Sequence, residues 1–243
     1  MTPEQKKLCE GHRGRLADKI SQLSPYEQWE YWLCGIIPRR DVRDLAKKMY
    51  HDCGGLLGIL TTPYEKLVQI KGIGPTVAHQ IENLRYVIMN GLLESLAKPC
   101  TIFHNNQHLR NYCKLQLGGK DAEEVYIVYL ADNHTLLDIE KHSGGNDVWA
   151  PVFPDKIMAN AVNKHAKYLV LVHNHPQAYK SFSDEDFNMT NKIAKLLMSV
   201  KICVEDHFVV SGGLLYSMRD TPGGGQYVDG MAPDAPDDNT AGF

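Results

Sequence analysis

One short run constrains this chain more than any other. Tyr168-Leu169-Val170-Leu171-Val172 is continuously apolar, the pattern of a strand buried on both faces, and it leads directly into His173-Asn174-His175-Pro176. If the backbone stays extended through Asn174, both imidazoles face one side, because side chains two apart share a face of a strand. Pro176 has no N–H to give a sheet and closes the strand. Residues 177–182 then form a loop, and a helix starts at Ser183, with Met189, Ile193, Leu196, Leu197 and Val200 at helical spacing. Asp186 falls in its first turn. A strand end and a helix start can thus bring two nitrogens and one carboxylate oxygen to a point. That is the protein share of a catalytic zinc site, with the fourth position open. Each piece also has a plainer meaning: a histidine at a strand end is ordinarily just a polar residue, and Ser183 with Asp186 is a capping pair. The conjunction carries the zinc expectation.

Glu124 opens a second strand-like run, Val125-Tyr126-Ile127-Val128-Tyr129-Leu130. A carboxylate that is not a ligand, close to a metal-activated water, is what hydrolysis requires of a general base. Glu123 is expected on the opposite face. Without the metal triad, Glu124 is simply a solvated charge at a strand start.

These residues carry a family resemblance. His173-x-His175-Pro176, Ser183-x-x-Asp186 and the upstream Glu124 resemble the JAB/MPN (JAMM) metallopeptidase signature. The chain is more closely similar to the bacterial RadC family, through Asn174, the gap of six residues between Pro176 and Ser183, and Asp206-His207 before a glycine-containing hairpin. The similarity runs from Gly11-His12-Arg13 to Met218-Arg219-Asp220. It implies an MPN/JAB-like, cytidine-deaminase-like mixed-sheet domain. It also implies one zinc held by His173, His175 and Asp186, a general base at Glu124, and Ser183 stabilising the oxyanion. One departure is Phe182, which stands where the family often has proline before the serine; it bears on substrate access rather than on the ligands.

In the first half, Lys71-Gly72-Ile73-Gly74-Pro75 lies between two amphipathic stretches. Glycines there let backbone amides approach a phosphate, and the following helix start adds partial positive charge. Lys71, Gly72 and Gly74 look like the turn of a helix-hairpin-helix, which grips DNA backbone without reading sequence. A tight interhelical turn is the alternative. Upstream, Trp29, Trp32, Leu33, Ile36 and Ile37 form an apolar helical face ending at Pro38. Arg39-Arg40-Asp41 then opens the next helix, with Asp41 as a candidate N-cap. Residues 1–98 hold 14 Lys+Arg against 11 Asp+Glu, and residues 99–243 hold 12 against 18. That balance excludes a strongly basic DNA-binding domain, and any DNA contact should be weak and salt-sensitive.

A length of 243 residues suits two small domains. The expected organisation is a helical helix-hairpin-helix domain over 1–98, an α+β metal-binding domain over 99–220, and a disordered tail over 221–243. The tail assignment rests on composition, with 12 of its 23 residues Gly, Pro or Asp. No apolar run can span a membrane. Six scattered cysteines and a polar N-terminus point to a reducing cytoplasm.

Two functions from different classes follow. The first is a zinc-dependent hydrolase of peptide or isopeptide bonds, acting on a protein or peptide. The second is a DNA-associated accessory or scaffold protein of repair or recombination without catalysis. A nucleoside deaminase is disfavoured, because Cys203 lacks the second cysteine of that ligand pair.

Overall fold

The computed structural model describes residues 14–17, 20–38, 40–98, 107–142, 153–176 and 182–228. The chain divides into two compact units, residues 1–88 and 89–243. The expected division near Lys98-Pro99 is therefore displaced into a helix. No glycine or proline capable of stopping that helix follows its start until Lys98-Pro99 (Gly91 is tolerated), so it runs through the division and buries Met89 and Leu96 in its last turns.

The first unit is helical: α1 Pro25–Ile36, α2 Arg43–Asp52, α3 Leu56–Thr61, α4 Tyr64–Leu67 and the start of α5 Pro75–Leu96. Ser24 and Glu27 form a reciprocal capping box at the head of α1. Trp29 and Leu33 of α1 pack with Leu45, Met49, Ile59, Leu67 and Ile81 into one core. Asp41 does not occupy the N-cap of α2. Val42 does, while Asp41 accepts the Arg43 N–H at 3.1 Å from one residue earlier. Arg39 lies outside the described residues. Between α4 and α5, Gly72 adopts φ +105°, and a Cβ there would stand 3.0 Å from the Arg40 guanidinium. The positive φ favours glycine, while the guanidinium, at the end of a flexible side chain, could move aside.

The second unit holds α6 Gln107–Leu117, β1 Val125–Leu130, β2 Leu136–His142, α7 Pro154–Asn163, β3 Tyr168–Asn174, α8 Asp184–Met198, β4 Cys203–Ser211 and β5 Leu214–Ser217. The five strands form one sheet in the order β2-β1-β3-β4-β5. The β3–β4 pair is parallel and the other pairs are antiparallel, as α8 crossing between β3 and β4 requires. Val125, Ile127, Tyr129, Leu169 and Leu171 face Ile157 and Ala161 of α7 and Ile193, Ala194 and Leu197 of α8. On the other face, α6 packs against β3, β4 and β5. Two covered faces explain why β3 is apolar at every position before the histidines. Gly212 and Gly213, both at positive φ, make the β4–β5 turn. The architecture is α+β, and the described residues contain no helix long and apolar enough to cross a membrane.

The tail expectation needs correction at its start. A short 3-10 helix, Gly224–Tyr227, packs back on the core, the Tyr227 ring lies 4.9 Å from that of Phe187, and Val228 is fully buried. Of the glycines that suggested disorder, Gly224 serves close approach, since a Cβ on it would collide with the Met218 carbonyl oxygen at 2.0 Å. Residues 229–243 lie outside the described residues.

Candidate metal centre

The site forms where β3 ends. Backbone pairing continues past the strand, with the His175 N–H donating to the Val210 carbonyl at 3.0 Å. The chain therefore stays extended across His173-Asn174-His175, and both imidazoles emerge on the face covered by α8. Their Nε2 atoms stand 2.9 Å apart. Asp186 comes from the first turn of α8, where Ser183 is the N-cap and Asp186 is the acidic N3 partner of a complete capping box. Its two oxygens are divided between tasks. Oδ2 accepts from the Ser183 N–H and hydroxyl, both at 2.8 Å, while Oδ1 stands 3.2 Å from His173 Nε2. His175 Nε2 lies 3.7 Å from Oδ2. The serine, expected beside the reacting centre, is thus also the group that aims the carboxylate.

This donor set fits zinc. Ligand atoms of a tetrahedral site with bonds of ~2.0–2.1 Å stand roughly 3.3 Å apart. Around His173 Nε2 the separations are 2.9 Å to His175 Nε2 and 3.2 Å to Asp186 Oδ1, close to that value; His175 Nε2 stands 3.7 Å from the other carboxylate oxygen, Oδ2. Burial holds His173 neutral, with its pKa pushed down to about 4 even though the Asp186 charge works the other way. A neutral imidazole is the form that ligates.

Behind His173 stands His207, a residue that sequence reasoning noticed only as part of Asp206-His207. Its Nε2 lies 2.8 Å from His173 Nδ1, and its own Nδ1 lies 2.7 Å from the Thr190 hydroxyl. Burial, with the neighbouring His173 and His175, pushes the His207 pKa well down. His173, Asp186 and His207 also bring donor atoms within 4.8 Å of one another. His207, however, meets the Nδ1 edge of His173, away from the point where the Nε2 atoms and Oδ1 converge. His175 is the better third ligand.

Strand register sets Glu123 and Glu124 apart. Val125 pairs with His173, so Glu123 falls opposite His175 on the histidine face, and Glu124 falls opposite Asn174 on the other. Glu124 is bound there by Lys141 Nζ at 2.8 Å, Lys120 Nζ at 3.3 Å and the Tyr126 hydroxyl at 3.1 Å. Burial works to raise its pKa, but the two lysines and the tyrosine outweigh it and the net shift is downward. Glu123 is the carboxylate that senses the cluster. Its pKa is raised, first by burial and then by the Asp186 charge, against the opposing influence of His175. A raised carboxylate at the mouth of the site suits a base. Asn174 fixes this arrangement, accepting the Glu124 N–H at 2.9 Å and donating to the Ala122 carbonyl at 3.0 Å. It clamps the backbone on both sides of Glu123.

Phe182 closes over the rear of the centre, edge-on to His207 at 5.4 Å and 5.8 Å from Phe187. Residues 177–181 of the preceding loop lie outside the described residues. Lys71, Gly72 and Gly74 belong to the first unit, and the chemistry assembled here uses none of them.

Comparison with known proteins gives the family. The profile of the RadC-like JAB domain matches residues 103–223. A UPF0758 protein of Ruegeria pomeroyi is 27% identical over 213 residues, covering 86% of this chain and 95% of its own length. One from Fusobacterium nucleatum is 27% identical over 219 residues, covering 86% and 94%. A third, from a Polaromonas species, is 30% identical over 184 residues, covering 76% of this chain and 82% of its own. With the RadC-like JAB profile matching residues 103–223 and a relative 30% identical over 82% of its own length, this chain belongs to the bacterial RadC family of JAB-domain proteins.

Proposed function

We propose that this protein is a zinc-dependent hydrolase that cleaves peptide or isopeptide bonds. The observation supporting this most directly is the convergence of His173 Nε2, His175 Nε2 and Asp186 Oδ1, with Glu123 on the same face of the sheet. A zinc ion held there would polarise the scissile carbonyl and lower the pKa of water toward ~7. Glu123 takes a proton from the attacking water and returns it to the leaving nitrogen. Ser183, whose hydroxyl borders the carboxylate ligand, offers a donor for the developing oxyanion once its bond to Asp186 is exchanged.

The test uses three variants against a panel of linked and linear polypeptides, with zinc content measured in parallel. Glu123→Gln is expected to keep zinc and lose cleavage, and Glu124→Gln to keep both. Cleavage that survives Glu123→Gln and disappears with Glu124→Gln would reverse the assignment. Zinc well below one per chain, unchanged by His175→Ala, would remove the metal reading altogether.

A second reading, sequence-independent DNA contact through the first unit, is favoured by one observation. The Arg40 guanidinium lies against Gly72 in a turn whose next helix, α5, starts at Pro75, with Lys71 exposed beside it. A phosphate there would meet two cationic side chains and the amides of a helix start. Lys71→Ala with Gly72→Val is expected to weaken binding equally across DNA sequences. Unchanged binding would leave the hairpin a structural turn.

A further inference from the structure

We propose that His207 and Thr190 form a relay that fixes the tautomer of His173, presenting its Nε2 lone pair to the ligand point. The inference builds on the metal reading above, but its first measurement needs no metal.

The direction of the relay follows from one group that can only accept. Thr190 Oγ1 lies 2.6 Å from the backbone carbonyl of Asp186, so its single proton goes there. At 2.7 Å from His207 Nδ1, the same oxygen must then act as acceptor, and Nδ1 carries the hydrogen. In a neutral imidazole this leaves His207 Nε2 bare, 2.8 Å from His173 Nδ1, which therefore donates. His173 Nε2 is left without a proton, 3.2 Å from Asp186 Oδ1 and 2.9 Å from His175 Nε2. Each hydrogen in the chain has one place to be.

The fold gives this relay no competitor. His207 and Thr190 are fully buried and His173 is 1% exposed, so water cannot substitute for a missing partner. The Phe182 ring covers His207 edge-on. Leu171 pairs with His207 across the parallel β3–β4 ladder, which sets the imidazole beside the residue that precedes His173 on the same face. Thr190 follows Asp186 by one helical turn, so its hydroxyl reaches the ligand's own carbonyl. The relay thus joins two ligands, the imidazole of His173 and the backbone of Asp186. Outer partners of ligating histidines set the tautomer in this way, and their loss typically costs 10–100-fold in metal affinity. His207 and Thr190 are positioning residues, since neither reaches the ligand point.

The experiment labels histidine with 15N and compares metal-free wild type, Thr190→Val and Thr190→Ser at pH 8, with melting temperatures to confirm folding. Wild type and Thr190→Ser are expected to show His173 protonated at Nδ1, and Thr190→Val a mixture of tautomers. Zinc affinity by chelator competition should fall about 10–100-fold in Thr190→Val and recover in Thr190→Ser. An unchanged tautomer and affinity in folded Thr190→Val would overturn the proposal, as would Nε2–H on His173 in the wild type. If wild type takes up no zinc but the valine variant still scrambles the tautomer, the relay stands and the hydrolase reading falls.

Discussion

Replacing Asn174 with alanine should separate the base from the ligands. Its side chain makes two hydrogen bonds to backbone flanking Glu123, at 2.9 Å and 3.0 Å, and Asn174 itself is buried. Each such bond is worth about 1 kcal/mol net. The Ala122 residue is exposed and its carbonyl can turn to water, whereas the Glu124 amide is partly buried and left without a partner. That orphaned donor adds about 1 kcal/mol more. The expected loss is roughly 2–3 kcal/mol, a fall in melting temperature of about 5–10 °C for a unit of this size. Urea titration monitored by tryptophan fluorescence and a thermal melt measure it directly. The Asn174 side chain bonds no ligand atom, so zinc affinity should change by less than about threefold while turnover drops through misplacement of Glu123. The reasoning is refuted if Asn174→Ala unfolds within about 0.5 kcal/mol of wild type. It is equally refuted if zinc affinity falls in step with turnover, because Asn174 would then support the ligands rather than the base.

The metal-free protein should lose stability as pH falls below 7. The folded His173 titrates near 4 against an ordinary value of 6.5, so between those values the unfolded chain binds a proton that the folded one refuses. The loss is about 1.4 kcal/mol per pH unit, or roughly 2 kcal/mol by pH 5. His207 acts in the same direction. Urea midpoints from pH 7.5 to 4.5 test this against His173→Gln, and equal slopes in the two proteins would contradict it. Ser183→Ala removes the N-cap of α8 and should cost about 1 kcal/mol. By freeing Asp186 Oδ2 it should also weaken zinc binding in a chelator titration; unchanged affinity would mean the cap does not aim the ligand.

Much of the site was legible in sequence because it sits on local patterns. The apolar run before His173, the two-residue spacing to His175 and the capping signature at Ser183 each specify a conformation without knowledge of partners. Strand limits were recoverable for the same reason: the apolar run from Tyr168 with its extended backbone through Asn174 is the observed strand Tyr168–Asn174. The choice between Glu123 and Glu124 was not legible. Alternation states that the two point apart, but which faces the histidines depends on the pairing of Val125 with His173, a contact across 48 residues of chain. His207 was hidden similarly, since a histidine within a strand carries no local mark of what lies behind it. Gly224 misled because composition does not distinguish freedom from close packing.

The docked segment ending at Val228 carries a practical consequence for anyone shortening this protein. A fragment stopped at Asp220, the end of the expected metal-binding domain, would retain every candidate ligand and both glutamates. It would still strip Tyr227 from Phe187, the neighbour of the ring that roofs His207. Water admitted at that seam would reach the buried imidazole pair from the rear, so truncation at a boundary far from the candidate ligands in sequence would loosen the proposed metal site.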